Sequence, residues 1–374
     1  MFRSERDPST WGVGVTSIRA ASARVARRLE APTDVEHRHP GSVPELAETL
    51  SQASSEGRTV LLWGGGTHQG YGYPLSPDLV VFTDGLATIV DWEPDDLTVV
   101  VEGGMTVAAL EARLATRGQS AILAEVPGAS TVGGALAAGI SGYRRGRFGP
   151  TRDRILEVTL VTGDGRVVRA GGRVVKNVTG YDLARLAVGS FGRLGVIVSA
   201  CLKLWPLPRA SATVTLDRDF ANEVYRPLAV LEESRQSSVY LAGTEEEVAA
   251  QVARLPGESQ PGLLWPGPQS GPWTWSLRVP PSMAVDFVPS LPADFIHQVG
   301  VGEISFSTED TQGMEELRSK VEATNGRLVV TGRPPGEEFE PWGSIPPRIE
   351  IQARLTAAFD PARILNPGRL PGRI

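Results

Sequence analysis

The sequence predicts an α+β protein of two domains, on three observations. The chain has 374 residues, more than one small core usually organises. Short strand-like runs in its first half follow one another in adjacent pairs, with helical runs between the pairs. That order favours α+β over a doubly wound parallel sheet. Two prolines follow a strand-like run in "LKLWPLPRA" (202–210), and the pattern of elements changes beyond them.

Local signals place the elements of the first half. Ser42 and Glu45 form a capping-box pattern before "VPELAETLSQASSEG", and Gly57 ends that helix. Strands are predicted in "RTVLLW", in "DLVVFT" and, as a pair, in "ATIVDWEPDDLTVVVEGG". A helix follows Thr106. The sequence "ILEVTLVTGDGRVVRAGG" predicts a hairpin whose turn is Asp164-Gly165.

The second half predicts a small sheet with helices on one face. Thr244 and Glu247 begin one helix, "QGMEELRSKVEATNG" forms another, and "SLRV" and "GEISFS" are strands. Between them, residues 256–273 are rich in Pro, Gly and Trp. They are predicted to form a long loop whose Trp residues are candidates to face a partner.

Composition excludes several classes of protein. A formal net charge of −6 argues against a nucleic-acid binder. No stretch approaches the roughly 20 apolar residues that a membrane span needs, and the N-terminus has no hydrophobic signal region. The single cysteine, Cys201, excludes an intrachain disulfide or a thiolate metal site and is expected to be a buried core thiol. A cytoplasmic location is predicted, with attachment to the inner membrane through partners left open.

A run of glycines in "LLWGGGTHQGYG" (61–72) follows a predicted strand directly. A dinucleotide fingerprint starting at Gly64 would need glycine where Gln69 stands. A Walker loop would need lysine after Gly70, where Tyr71 stands. What remains is a series of backbone N–H groups with no Cβ in the way, which suits either an anion site or a tight structural turn.

Two further segments are rich in small residues. In "EVPGASTVGGALAAGISG" (125–142), a helix beginning near Thr131 would offer free N–H groups to a phosphate and lie close to a flat ligand. Tight packing of a helix on a sheet would need the same small residues. The third segment, "KNVTGYDLARLAVGSFGRLGVIV" (176–198), leads from a glycine-rich turn into a buried strand.

These three segments, in this order and spacing, resemble the FAD-binding domain of the vanillyl-alcohol-oxidase/p-cresol-methylhydroxylase (PCMH-type) family over residues 35–208. The end of the chain, "FDPARILNPGRL", is similar to the C-terminal signature of that family. Within the family, "VVKNVTGYDLARLAVGSFGRLGVI" most resembles the FAD-binding (E) subunits of glycolate oxidases.

The resemblance implies a two-subdomain PCMH-type FAD-binding domain over 35–208 and a smaller α+β cap domain over 209–345. A tail over 346–374 would return to the FAD domain, and residues 1–34 would be a leader or docking segment. It also implies a small hydroxy-acid substrate and two partners, a longer flavoprotein subunit and an iron–sulfur subunit. No nucleic acid is expected as a partner.

The resemblance assigns the cofactor-binding residues. The backbone N–H groups of residues 64–67 would hold the FAD pyrophosphate, and residues 131–134 would run beside the ribityl chain and the isoalloxazine. Residues 195–197 would contact the cofactor through main chain, and the tail would close the site. The predicted set is Gly64, Gly65, Gly66, Thr67, His68, Pro127, Gly128, Thr131, Val132, Gly133, Gly134, Gly195, Val196, Ile197 and Asn366.

FAD is predicted to be non-covalent. Relatives with covalently bound flavin carry histidine in a Gly-x-Gly-His-Ser arrangement. Here Thr67 occupies the histidine position and His68 lies one place later. His68 is therefore expected either to line the loop or to be exposed.

No catalytic residue is assigned from the sequence, and no metal site is predicted. The four histidines, His37, His39, His68 and His297, form no cluster, and His297 is expected to be a surface or strand residue. Arg278 and Arg333 could bind a carboxylate. Four polar residues near the expected flavin have no assigned step: Lys176, Asn177, Tyr181 and Asp182.

The predicted function is the FAD-binding subunit of a glycolate or 2-hydroxy-acid oxidase (dehydrogenase) complex, which passes electrons from the acid through flavin to partner subunits. Two alternatives stay open. The first is a structural subunit that holds flavin without turnover of its own. The second is an independent sugar, lactone or lactate oxidase.

Overall fold

The helices and strands belong to a computed structural model that describes residues 29–125, 128–173, 181–217, 224–267, 269 and 271–374. The helices are α1 Val43–Glu56, α2 Val107–Ala115, α3 Val132–Ala138, α4 Arg145–Phe148, α5 Leu183–Ala187, α6 Glu245–Val252, α7 Ala284–Phe287, α8 Met314–Glu322 and α9 Ile349–Phe359. The strands are β1 Glu36–Arg38, β2 Val60–Trp63, β3 Leu79–Phe82, β4 Ile89–Glu93, β5 Thr98–Glu102, β6 Gln119–Ser120, β7 Ile155–Val161, β8 Val167–Gly171, β9 Val196–Lys203, β10 Trp205–Pro206, β11 Ala210–Leu216, β12 Ala229–Glu232, β13 Ser237–Gly243, β14 Glu258–Pro261, β15 Trp273–Arg278, β16 Phe295–Gln298, β17 Glu303–Thr308 and β18 Arg327–Gly332.

In the described chain, the strands up to Pro206 and the strands after it belong to different sheets. Strands β1–β10 form a three-stranded parallel sheet in the order β1-β3-β2, a five-stranded antiparallel sheet in the order β4-β5-β9-β7-β8, and the short pair β10-β6. Strands β11–β18 form one antiparallel sheet of eight strands, β14-β11-β13-β12-β16-β17-β15-β18. The mostly antiparallel pairing confirms the α+β prediction. The domain boundaries at 35, 209 and 346 stay predictions.

The two largest hydrophobic cores of the part before Pro206 position its sheets. Helices α2, α3 and α5 cover one face of the five-stranded sheet, where Leu110, Leu136 and Val158 are buried. Helix α1 fills the space between the three-stranded sheet and β9, in a core that also contains Ile364 and Leu365 of the tail. Burial of such apolar side chains contributes about 25 cal/mol per Å². The tail therefore completes a core that begins about 320 residues earlier, at Leu46.

The predicted caps form, with one difference. Ser42 accepts a hydrogen bond from the N–H of Glu45, and Gly57 ends α1 with φ of 68°, in the left-handed region that glycine adopts without steric cost. The Glu45 carboxylate accepts from the N–H of Gly41, one residue earlier than a reciprocal capping box requires. The Thr244–Glu247 box of α6 is complete, and Asp164-Gly165 forms the β7–β8 turn, as predicted.

The eight-stranded sheet is larger than the small sheet that the sequence predicts. Helices α6, α7 and α8 pack on one face, as expected. The opposite face, which includes Tyr240, packs against Tyr143 and Phe148 of the first part. The prediction of one long loop over 256–273 is wrong in part, because Glu258–Pro261 pairs with β11 as an edge strand, where proline is tolerated.

The tryptophans of that segment contact other aromatic residues of the chain, and whether they also face a partner stays a prediction. Trp265 stacks on Tyr240 with 4.0 Å between ring centroids, and it also stacks on Tyr143. Trp273 is buried in the core under α7 and α8. The described residues include no helix that is both long and apolar enough to cross a bilayer. Most of the predicted leader, residues 1–28, lies outside the described residues.

A buried ion pair fastens the tail to the first part. Arg193 Nη1 lies 3.1 Å from Asp360 Oδ2, and the two side chains are 3% and 0% exposed. The Asp360 carboxylate also accepts from the N–H groups of Ile364 and Leu365, at 3.0 Å each. Burial raises the pKa of Asp360 and lowers the pKa of Arg193. Desolvation therefore opposes both charges, and either one alone would be strongly unfavourable.

We expect Asp360→Ala to lower the free energy of unfolding by about 3–5 kcal/mol, because it leaves the Arg193 guanidinium buried without a counter-ion. Urea unfolding followed by circular dichroism measures the change. The control is Glu316→Ala, which breaks an exposed pair with Lys320 and should leave stability unchanged within error. Equal effects of the two substitutions would contradict the role given to the buried pair.

Candidate functional site

Three glycine-rich segments and the tail surround one cavity, called here the glycine cavity. Most of the residues predicted to bind FAD line it: Gly64, Gly65, Gly66, Thr67, His68, Thr131, Gly133, Gly134, Gly195, Val196, Ile197 and Asn366. Val132 and Gly128 were predicted with them but do not line the cavity. Val132 is fully buried and packs into the core of the five-stranded sheet. Pro127 lies outside the described residues.

The first loop has to be glycine because it touches the second segment. A Cβ at Gly65 would lie 1.6 Å from the carbonyl oxygen of Ala129, and one at Gly64 would lie 2.4 Å from Thr131 Oγ1. Contacts this short are impossible for real Cβ atoms, so any side chain would force the two segments apart. The close approach brings the amides of the first loop next to the start of α3.

The free amides lie in the first loop. None of the backbone N–H groups of residues 64–67 donates a hydrogen bond to an acceptor among the described residues. Buried N–H groups almost always have a partner in a folded protein, so a row of unpaired donors at a cavity is a natural anion site. This geometry agrees with the role that the sequence assigns to the loop.

The start of α3 differs from the expectation of free N–H groups. Val132 N donates to Met105 O at 2.8 Å, Gly133 N to Gly103 O at 2.7 Å, and Gly134 N to Thr131 Oγ1 at 3.1 Å. The first turn is therefore already satisfied by protein acceptors. Its small residues bring the helix onto the backbone at Gly103 and leave a flat wall, formed with Ala137 and Ala138, for the cavity.

Asn366 connects three segments. Its Oδ1 accepts from Leu62 N at 2.9 Å, its Nδ2 donates to Phe191 O at 2.7 Å, and its own N–H donates to Val60 O. Both polar atoms of the side chain thus bond to backbone groups of the first and third segments. Asn366 closes the glycine cavity by positioning its walls.

Arg369 is a site residue that sequence reasoning missed. It donates to the carbonyl oxygens of Gln69 and Tyr71, at 2.9 and 2.7 Å, and to the side-chain oxygen of Gln69 at 2.6 Å. It is 5% exposed, and no carboxylate pairs with it among the described residues. Burial, with a smaller effect of Arg333, lowers the pKa of Arg369 to about 10, so the group stays charged at neutral pH.

The glycine cavity therefore carries one positive charge and no negative one. Arg369 is the one arginine or lysine among its described lining residues, which include no Asp or Glu. An uncompensated buried cation beside free N–H groups is stabilised by an anion. The only sequence signal for Arg369 is its place in "LNPGRL", three residues after Asn366.

His68 lies in the wall of the cavity, one of the two positions that the sequence allows for it. Its Nε2 is 3.2 Å from Ser130 Oγ, and burial lowers the pKa of His68 to about 4. The imidazole is therefore neutral at physiological pH. Thr67, at the position where covalent relatives carry histidine, has no group able to form a bond to flavin carbon.

The remaining histidines lie away from the cavity. His37 and His39 are exposed near β1, and His39 pairs with Asp84. His297 is a strand residue but not a surface one, since it is 5% exposed and its Nδ1 lies 2.8 Å from Glu232 Oε2. Within the described ranges, no group of three or more His, Cys, Asp or Glu is arranged to hold a metal ion. Cys201 is buried, as expected.

The other polar candidates are scattered. Tyr181 is 93% exposed, and Asp182 caps α5 by accepting from Arg185 N. Lys176 and Asn177 lie outside the described residues. Arg333 donates to Gly72 O, beside the first loop, and Arg278 lines a different cavity. Of these groups, the described ones do not line the glycine cavity.

Comparisons with known proteins agree with this geometry. Residues 38–171 match the family model described as FAD binding domain. The chain is 28% identical over 370 residues to glycolate oxidase subunit GlcE of Escherichia coli, covering 87% of this chain and 96% of the relative. A 32% identity to D-lactate dehydrogenase of Archaeoglobus fulgidus covers 46% of this chain and 38% of the relative.

Similarity to the D-2-hydroxyglutarate dehydrogenase of Xanthomonas citri is also partial, at 32% identity over 47% of this chain and 38% of the relative. Among solved structures, an alkyldihydroxyacetonephosphate synthase superposes with a TM-score of 0.61 at 18% identity, covering 89% of this chain and 77% of the other. That likeness shows a shared fold. Residues 38–171 therefore form an FAD binding domain, and its cofactor is FAD.

Proposed function

We propose that the chain is the FAD-binding subunit of a complex that oxidises glycolate or a similar 2-hydroxy acid. The similarity to glycolate oxidase subunit GlcE carries this proposal, because it runs through 96% of that relative and so includes the second part and the tail. The lactate and hydroxyglutarate dehydrogenases match less than half of the chain. Electrons would leave through a longer flavoprotein subunit and an iron–sulfur subunit.

The contacts of the glycine cavity support a specific placement of FAD. The free N–H groups of residues 64–67 and the charge of Arg369 suit the diphosphate. The flat wall of small residues from Thr131 to Ala138 suits the ribityl chain and the ring system. Residues 195–197 and Asn366 complete the enclosure. Thr67, at the position of the bonding histidine in covalent relatives, favours FAD held without a covalent bond.

Bound FAD supplies a two-electron acceptor for oxidation of a carbon that carries a hydroxyl group. Such a reaction also needs a base for the hydroxyl proton. Among the described residues, His68 is the one histidine that lines the glycine cavity, and its hydrogen bond to Ser130 leaves it a structural role. This shortage of a base favours a second candidate function, a structural subunit that holds FAD without turnover of its own.

We expect the purified full-length chain to be yellow and to release its flavin completely on acid precipitation, because Thr67 stands where covalent relatives carry the bonding histidine. The absorbance of the supernatant and of the redissolved pellet between 350 and 500 nm measures how much flavin is released and how much stays with the protein. Gly65→Val should abolish flavin retention, since its side chain would collide with Ala129 O. A colourless wild-type chain with an intact unfolding transition would overturn the FAD assignment, and flavin in the pellet would overturn non-covalent binding.

We expect Arg369→Met to weaken FAD binding about tenfold or more, because it removes the cavity's positive charge and three hydrogen bonds to the first loop. Fluorescence titration of the flavin-free chain measures the dissociation constant. The matched control is Arg363→Met, an exposed arginine of the same tail, which should bind FAD as the wild type does. Equal affinity of the two variants would contradict the role of Arg369.

We expect glycolate-dependent dye reduction by the chain together with its partner subunits, and little or none by the chain alone. The measurement compares initial rates for glycolate, D-lactate and a polyol in both preparations. Robust glycolate oxidation by the isolated chain would exclude the structural-subunit function. Oxidation of the polyol alone would overturn the hydroxy-acid proposal in favour of an independent sugar oxidase.

A further inference from the structure

A second cavity, called here the arginine crevice, has a volume of about 300 Å³ and lies between the first part of the chain and the eight-stranded sheet. Tyr71, Arg145 and Arg152 line it from the first part, and Arg278 lines it from β15. It adjoins the glycine cavity, because Ala138 and Phe191 line both. A molecule in the crevice would therefore lie next to a ligand that contacts the flat wall of the glycine cavity at Ala138.

The charge of the crevice is unbalanced. Its described lining includes three arginines and no acidic residue. Glu303 of β17 pairs with Arg145 and, at 3.2 Å, with Arg278. Arg152 has no ion pair within the described part of the chain. Three positive charges against one negative leave a net charge of +2, and such a cluster in a crevice attracts small anions.

Tyr71 adds a neutral donor to the crevice. Its hydroxyl has no hydrogen-bond partner among the described residues. Burial raises the pKa of Tyr71 to about 12, with a smaller opposing effect of Arg278. The phenol therefore keeps its proton at neutral pH and can donate to an oxygen of a bound molecule. The carbonyl oxygen of Tyr71 accepts from Arg369, which lines the glycine cavity, so one hydrogen bond connects the two walls.

We propose that the arginine crevice binds the carboxylate of a small acid, held by Arg152 and Arg278 and oriented by the Tyr71 hydroxyl. The guanidinium group is suited to this, because its N–H fork matches the two carboxylate oxygens. When the acid is absent, the Glu303 carboxylate forms ion pairs with Arg145 and Arg278. The inference rests on the proposed function for the identity of the acid, and its anion binding can be measured without flavin.

Acetate is the probe, because it has the carboxylate but no hydroxyl to oxidise. Its affinity for the full-length chain is measured from the broadening of the acetate methyl NMR signal, with and without added FAD. We expect Arg152→Met and Arg278→Met each to weaken acetate binding about tenfold. Arg147→Met, which removes an exposed charge of α4 that does not line the crevice, should have no effect.

Glu303→Gln should change the acetate affinity in the opposite direction to the two arginine substitutions. It frees Arg145 and Arg278 from their internal counter-ion, so acetate should bind more tightly than to the wild type. Misfolding would not produce that gain. Unchanged acetate affinity in both Arg152→Met and Arg278→Met would overturn the proposal, as would equal binding of neutral acetamide. A colourless chain would refute the FAD function but would not affect the acetate measurement. Failure of the FAD function and failure of the crevice proposal can therefore be told apart.

Discussion

The position of Asn366 is the constraint on which the site depends. One side chain accepts from the strand that leads into the first loop and donates to the third glycine segment, although these partners lie 304 and 175 residues away in sequence. The buried Arg193–Asp360 pair holds the tail in the register that makes these bonds possible. The walls of the glycine cavity are thus set by the last residues of the chain.

Both cavities have positive charge and unpaired hydrogen-bond donors, and acidic residues are missing from their described linings. Among its described residues, the glycine cavity has unpaired N–H groups, one buried guanidinium and no carboxylate, which suits a diphosphate. The arginine crevice beside it has more positive than negative charge and an unpaired phenol, which suits a small acid. A cofactor and a substrate of these two kinds would meet at Ala138 and Phe191. The adjacency links the FAD assignment to the hydroxy-acid proposal.

Local chemistry made parts of the fold predictable. The caps of α1 at Ser42 and Gly57, and the Asp164-Gly165 turn, depend on residues close by in sequence. A local sequence pattern is therefore enough to predict them. The eight-stranded sheet was underestimated because its strands pair across long separations, as β12 pairs with β16. His297 was expected at a surface or in a strand, and it is buried because Glu232 of the neighbouring strand accompanies it.

The site shows the same division. The first loop could be predicted, since glycines after a strand leave their amides free. The start of α3 looked equally suitable, but Met105 and Gly103, brought close by the fold, accept its first N–H groups. Arg369 could not be assigned a role from sequence, because its partners, Gln69 and Tyr71, lie about 300 residues earlier. Long-range contacts decide which of several plausible donors remain available.

Hydrogen–deuterium exchange with and without FAD tests directly whether the first loop binds the cofactor. We expect slower exchange of the amides of residues 64–67 when FAD is bound, because those N–H groups have no acceptor among the described residues. Little change is expected at Val132 and Gly133, whose N–H groups already donate within the protein. Protection of residues 132–134 with no change at 64–67 would show that the first loop is not the site of FAD binding.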